Sequence, residues 1–384
     1  MNHKRTQKAL VVAGARPNFM KVAPLLKEAD AFNRRNEGKF PRLEWLLVHT
    51  GQHYDRTLSD VFFEELRIPP PAVNLGVGSG SHAVQTANIM LKFEQTCLAE
   101  NPDWVIVVGD VNSTLACTLV CSKMGIKVAH VEAGLRSFDR TMPEEINRIV
   151  TDALADLLLT PSGDADENLK REGIAESKIK LVGNIMIDTL AAHLPEARKS
   201  RILQELGLKP KSFAYVTLHR PSNVDDPQSL AAIMSSLRKL GESLPVVFPA
   251  HPRTAKMLAQ FGIDNRGSGG VKILEPVGYH ASLCLTENAR LVLTDSGGLQ
   301  EESTFFKVPC LTLRPNTERP STVSLGSNKL TRLDRLASDL DEVIHGPAEK
   351  GQIPPLWDGK TAGRIVQAIV EFDERSRTET AAIE

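Results

Sequence analysis

The chain has 384 residues, 41% of them hydrophobic and 24% charged, the composition of a soluble globular protein long enough for two packed domains of ordinary size. A formal net charge of −1 excludes the basic excess of a nucleic-acid-binding surface, so any anionic ligand must be held by local charges. No apolar run approaches the roughly 18 residues that span a bilayer, and five cysteines without a CxxC pair support neither a disulfide framework nor a thiolate zinc site.

The opening MNHKRTQ is basic but leads directly into a short apolar run, with no apolar core of signal-peptide length, so a cytoplasmic protein is expected. That run, ALVVAG at 9–14, is followed in the first half by WLLVHTG (45–51), WVIVVGD (104–110), KVAHVEAG (127–134), LLLTPS (157–162) and IKLVGN (179–184). The second half carries FAYVTLHR (213–220), PVVFPAH (245–251), VKILEP (271–276), RLVLTDSGG (290–298) and VPCLTLRP (308–315). These runs are almost wholly apolar instead of alternating, as strands are when helices cover both faces of a parallel sheet. Stretches of helical length separate them; NSTLACTLVCSKMG (112–125) opens on a candidate N-cap and closes on glycine. Strand–helix alternation of this kind predicts doubly wound α/β domains. The boundary is expected between Gly183 and Lys211, giving an N-terminal domain of residues 1–190, a C-terminal domain of 191–370 and a polar tail, 371–384, that frays.

Open α/β sheets bind ligands beyond the carboxyl ends of their strands, and this chain concentrates its polar residues there. After the first run comes GARPNFMK, where Arg16 and Lys21 stand at the start of a helix and could seat a phosphate. It is neither GxGxxG nor a Walker loop, and a solvated loop would carry the same charges. Asp110 ends WVIVVGD, either as a site carboxylate or as a cap for the next helix. Glu132 ends a buried strand, an expensive place for a carboxylate that is neither paired nor used. Glu144 and Glu145 follow Pro143 at a helix start, where the dipole alone favours acids. Beyond the next strands stand His219 with Arg220 and His251 with Arg253. TDSGGLQEE (294–302) is the sharpest motif: a strand runs into Asp-Ser-Gly-Gly and a helix whose bare N–H groups suit a pyrophosphate. RPNTERP (314–320) adds Arg314, Glu318 and Arg319. No HExxH occurs, and no catalytic metal is expected.

Taken in order from Ala9 to Arg319, these segments resemble the non-hydrolysing UDP-N-acetylglucosamine 2-epimerases. The landmarks are GARPNFMK with VAPL, TGQH (50–53), GD (109–110), HVEAGLR (130–136), PEEINR (143–148), Gly183, Asn184, Asp188, LHR (218–220), TDSGGLQEE and TERP (317–320). The resemblance implies a glycosyltransferase-B-type fold: two Rossmann-like domains facing each other across a deep cleft, often in a homodimer, with UDP held mainly by the C-terminal one. It implies interconversion of UDP-GlcNAc and UDP-ManNAc with no external cofactor; the balanced charge and short apolar runs lead to the expectation of no nucleic-acid or membrane partner. The C2 hydrogen of the sugar is not adjacent to a carbonyl, so the family expels UDP from C1 as the C2 proton leaves. UDP then adds back to the 2-acetamidoglucal with protonation on the other face. That route needs donors for departing UDP and carboxylates that move protons.

Carried over position by position, the resemblance implies an acid/base group of Asp110, Glu132 and Glu144 with Lys21 and His219. It implies phosphate contacts from Arg16 and His219, a pyrophosphate cradle of Ser296, Gly297 and Gly298, ribose binding by Glu302, and Arg319 near the nucleotide. Arg136 and Arg148 join the substrate-binding set. Departures are visible: GARPNFMK replaces the commoner GTRPEAIK, HRPSN replaces HRREN, and YDRTL (54–58) and GVGSGSHA (76–83) replace segments that in many bacterial members help bind a second, activating UDP-GlcNAc. Those departures point to unactivated kinetics and leave room for a different 2-acetamido sugar. A hydrolysing relative, a glycosyltransferase of the same fold and an inactive sugar-nucleotide-binding module are the competing readings. The three carboxylates weigh against the last two.

Overall fold

The computed structural model describes residues 6–36, 39–52, 65, 68–263, 270–346 and 351–381. The side chains of Arg16 and of residues 375–381 lie outside that description, as do the YDRTL residues at 54–58. The chain forms two compact units, Met1–Thr189 with Pro355–Glu384, and Leu190–Pro354.

The first unit is built on seven parallel strands: β1 (Gln7–Ala13), β2 (Leu43–His49), β3 (Val73–Asn74), β4 (Trp104–Val108), β5 (Lys127–Val131), β6 (Leu157–Thr160) and β7 (Ile179–Leu181). Their order in the sheet is β3-β2-β1-β4-β5-β6-β7. The second unit has six: β8 (Ala214–Thr217), β9 (Val246–Pro249), β10 (Val271–Leu274), β11 (Leu291–Thr294), β12 (Cys310–Leu313) and β13 (Asn328–Thr331), ordered β10-β9-β8-β11-β12-β13. Every pairing in both sheets is parallel. The apolar runs are the reason. Each residue of β4 is fully buried, as are those of β9 and β11, because helices cover both faces. Both sheets reverse their strand order once, at β1/β4 and at β8/β11, and such a switch point opens a crevice at the carboxyl edge.

The end of the chain differs from the sequence reading, which places residues 355–370 in the second domain and leaves 371–384 as a loose tail. A helix runs Thr361–Ala381 and belongs to the first unit. Its Val366 and Val370 pack with Ala29, Phe32 and Leu43. Asp373 accepts hydrogen bonds from Gln7 Nε2 (2.6 Å), Trp104 Nε1 (3.1 Å) and Lys127 Nζ (2.7 Å). At the other end Asp188, an acid of the family-like pattern, accepts the N–H groups of Thr361 (3.0 Å) and Ala362 (2.7 Å) and caps the helix. Among the described residues no helix is long and apolar enough to cross a membrane.

Candidate active site

In the first unit the adjacent strands β1, β4 and β5 deliver the polar groups. Asn18, in the helix Arg16–Arg35 that follows β1, accepts the N–H groups of Gly14 (3.2 Å) and Ala15 (2.9 Å) and donates to Val108 O (2.9 Å). This staple fixes the first turn against the end of β4, and Lys21 on the same helix reaches the carboxylate of Glu132 beyond β5 in a buried ion pair. Glu132 is 4% exposed and has φ +70°, a left-handed conformation that costs a residue with a Cβ on the order of 1 kcal/mol. Its Oε2 is committed to Lys21, while its buried Oε1 has no partner among the described residues. Gly109 lines the same spot: with φ +71°, an added Cβ would stand 3.1 Å from Lys21 Nζ and 3.6 Å from Glu132 Oε2. A side chain there would displace the pair.

Asp110 does not cap the following helix, whose N-cap is Val111 with no side-chain bond. Its carboxylate pairs instead with Arg148, and its carbonyl accepts from Asn147 Nδ2 (2.8 Å). Arg148 is buried and also donates to Glu145 through Nη2 (2.6 Å) and Nε (3.1 Å). Glu145 is the anchor of the preceding loop, accepting the N–H groups of Ser137 and Phe138 and the Ser137 hydroxyl, all at 2.9 Å. Burial works to raise its carboxyl, but the Ser137 N–H and Arg148 outweigh it and hold the group below the ordinary carboxylate range. Phe138 sits at φ +58° with its ring exposed. Glu144, half-buried in the same first turn, has no hydrogen-bond or ion-pair partner among the described residues.

A second network lies beneath. His130 presents Nδ1 to Asp152 (2.6 Å) and Nε2 to the carbonyl of Gly109 (2.8 Å). Asp152 also accepts Gly134 N (3.0 Å) and pairs with Arg136 Nη1 (2.7 Å). The remaining donors of Arg136 go to Glu172, at 2.7 and 2.6 Å, and to Leu135 O, at 2.8 Å. The guanidinium groups of Arg136 and Arg148, both assigned to substrate on the sequence, are thus buried and engaged inside the protein. A surface pocket bounded by Asp30, Asn33, Arg34, Phe40 and Arg42 lies at the amino-terminal side of β2 and contains none of these groups.

In the second unit β8 and β11 run side by side in the register Thr217↔Thr294. His219 follows the first and Asp295 the second, and their side chains meet at 2.8 Å. Ser296 is the N-cap of the helix Gly297–Phe305, whose first N–H groups belong to Gly297 and Gly298 and have no carbonyl partner within the helix. Gly297 is needed: a Cβ would stand 3.1 Å from Glu318 Oε1 and 3.3 Å from Arg319 Nη1. Arg319 bridges Glu301 (2.7 Å) and Glu318 (2.9 Å), and Glu318 pairs with Arg314 (2.7 Å). Burial works against the ionised Glu318, but Arg319 and Arg314 together hold its carboxyl far below the ordinary range. Glu302 has no such partner among the described residues; burial, and then the charge of Glu301, push it up to about 8. Arg16's side chain is outside the described residues. Asp295 and Asp152 carry no role in the sequence reading, and Glu145 appears there only as an acid favoured by a helix start. For Asp295 the signal was its place directly after a buried strand; the roles of Glu145 and Asp152, inside a helix, become visible only through their partners.

Residues 36–370 match the family model described as UDP-N-acetylglucosamine 2-epimerase. The chain is similar to the UDP-N-acetylglucosamine 2-epimerase of Methanocaldococcus jannaschii, 40% identical over 371 residues, 94% of this chain and 98% of that one. The crystal structure of the Methanocaldococcus jannaschii UDP-GlcNAc 2-epimerase in complex with UDP-GlcNAc and UDP superposes with a TM-score of 0.84 at 40% identity, covering 95% of this chain and 100% of that one. The chain is also 40% identical over 327 residues, 84% of its length and 88% of the relative's, to the UDP-2,3-diacetamido-2,3-dideoxy-D-glucuronate 2-epimerase of Pseudomonas aeruginosa.

Proposed function

The chain belongs to the UDP-N-acetylglucosamine 2-epimerase family, with the glycosyltransferase-B-like α/β fold of that family, and on that premise we propose that it interconverts UDP-GlcNAc and UDP-ManNAc by elimination and re-addition of UDP. It is an isomerase. The observation that carries the chemistry is Glu132: a buried carboxylate in a left-handed backbone, balanced by Lys21 on one oxygen and, among the described residues, without a partner on the other. Strain of this kind is maintained where a site requires it.

In the proposed reaction one carboxylate accepts the C2 proton, the C2–H electrons form the C1=C2 bond, and the C1–O bond breaks so that UDP leaves with its electron pair. Re-addition of UDP to C1 and protonation of C2 on the other face complete the epimerisation. Asp110, Glu132 and Glu144 exchange the protons, and Lys21 offsets the charge of Glu132. UDP is received by His219, by the N–H groups of Ser296, Gly297 and Gly298, and by Arg319, with Arg16 on the phosphates and Glu302 on the ribose. Arg136 and Arg148 act as positioning residues, since their donors are taken up by Asp152, Glu172, Asp110 and Glu145.

NMR of UDP-GlcNAc with the enzyme in D2O tests this. Deuterium should enter C2 of both epimers. Epimers free of deuterium at C2 would exclude elimination at that bond, and accumulation of free N-acetylmannosamine with UDP would assign the chain to the hydrolysing relatives. The Pseudomonas aeruginosa relative supports a second reading, in which the sugar carries a 3-acetamido group and a C6 carboxylate. A higher kcat/KM for that UDP-diacetamido sugar than for UDP-GlcNAc would select it.

We further propose a cytoplasmic homodimer. Val84, Leu91 and Leu98 are exposed at seven-residue intervals on the helix His82–Glu100, an apolar stripe that a second copy would cover. The five cysteines are free and buried, as suits a reducing compartment.

A further inference from the structure

The TDSGG segment supplies a cradle through Ser296, Gly297 and Gly298, yet its aspartate has no part in that. Asp295 is fully buried at the end of β11, where a carboxylate is costly unless its oxygens are satisfied. They accept the backbone N–H groups of His219 (3.0 Å) and Arg220 (2.9 Å), Asn223 Nδ2 (3.0 Å) and, at 2.8 Å, Nδ1 of His219. The first three fix where β8 ends and the short helix Pro221–Val224 begins, and Asn223 extends the tie to Leu313 O (3.1 Å) beyond the neighbouring strand. The fourth is different, because the imidazole is a movable ring, 43% exposed. Resting on the reading that the second unit receives UDP, we propose that Asp295 is the positioning residue of His219: it turns Nδ1 inward and leaves Nε2–H of the imidazolium as the outward donor to a nucleotide phosphate.

The sheet, not the sequence, makes this pair. The residues are 76 apart, and the parallel register of β8 with β11 sets one beside the other. A carboxylate on one ring nitrogen selects the form that carries a proton there. Burial opposes the charge on Asp295, but His219 and the Arg220 N–H hold its carboxyl below the ordinary range. Among the described residues, ionisable groups beside the ring include His251, whose centroid is 5.7 Å away, and Arg220, whose Nε donates to the Asp295 carbonyl (3.2 Å). Neither offers an oxygen acceptor that would compete for Nδ1.

Calorimetric titration of UDP into the full-length wild type, His219→Ala, Asp295→Asn and the double variant tests the assignment. His219→Ala should weaken UDP binding by about 10- to 100-fold, the effect of one charge-assisted contact. Asp295→Asn should weaken it by about 10-fold alone and by less than about 2-fold in the His219→Ala background. The same loss in both backgrounds, or none in either, would show a carboxylate that only braces the turn. The wild type gives an independent readout by 15N NMR of His219: its neutral form should keep the proton on Nδ1, and Nε2 should be the nitrogen that shifts on adding UDP. A proton on Nε2 instead would overturn the proposal, whatever Asp295→Asn does. If the wild type fails to bind UDP while the Nδ1–H form is seen, the nucleotide reading fails and the pair survives.

Discussion

At the scale of single residues, the two oxygens of Glu132 separate stability from chemistry. Glu132→Gln should lower kcat by about 10²- to 10⁴-fold, as losing a general acid or base does. It should also destabilise the protein by about 3–5 kcal/mol, because it strands Lys21 as a buried charge. Asp110→Asn should show a similar rate loss with a much smaller shift in Tm, since its carboxylate is one-third exposed and Arg148 keeps Glu145. Turnover and thermal melts of both variants check this; equal melts would mean that the Lys21 pair contributes nothing to folding. Glu302 makes a prediction of the opposite sign from an ordinary carboxylate. Its folded pKa lies at about 8, against about 4.3 in an unfolded chain. Between those values the folded state holds a proton that the unfolded state releases, so its contribution to stability is full below about pH 4.3. It declines as pH rises and is lost above about 8. Urea midpoints from pH 5 to 9 should therefore fall more steeply for the wild type than for Glu302→Gln, and parallel curves would refute the assignment. Sequence reading could find Glu132 and Asp110 because each directly follows an apolar strand. It could not see that Arg136 and Arg148 are engaged by Asp152, Glu172 and Glu145, because those partners are set by folding, not by spacing.

At the scale of elements, the strands that could be read were the ones that spell burial in their own letters. All eleven apolar runs overlap a strand of the two sheets. Among the described residues the two that escaped are Val73–Asn74, too short to show a pattern, and Asn328–Thr331, an edge strand whose sequence NKLT has a single apolar residue, Leu330. The helix Thr361–Ala381 escaped for another reason. Its apolar positions Ile365, Val366, Ile369 and Val370 were legible as a helical stripe, but nothing local says which sheet that stripe covers. Asp188 decides it by accepting the first N–H groups of the helix. Asp188→Ala should cost about 1–2 kcal/mol, and hydrogen exchange should rise at the start of this helix and in β1 and β4. Unchanged protection there would mean that the apolar face alone holds the helix.

At the scale of the whole molecule, the departures around GVGSGSHA bear on regulation. His82 opens its helix with Nδ1 3.2–3.3 Å from the Asn112 side-chain amide. Initial rates should follow a hyperbola in UDP-GlcNAc, and a sigmoidal curve would show that a second substrate site persists. The apolar stripe predicts that Leu91→Lys shifts the protein from dimer to monomer in sedimentation velocity, and a variant still wholly dimeric would place the interface elsewhere. The return of Asp373 to Gln7, Trp104 and Lys127 has a further consequence, for the order in which a ribosome delivers the fold. Synthesis is vectorial, and domains generally fold as they emerge. Residues 190–354 are complete while the first sheet, made earlier, still lacks the helix that covers Trp104. The unit translated first is thus the one finished last, and a chain interrupted after residue 354 would leave the exit tunnel with its second half closed and its first half open.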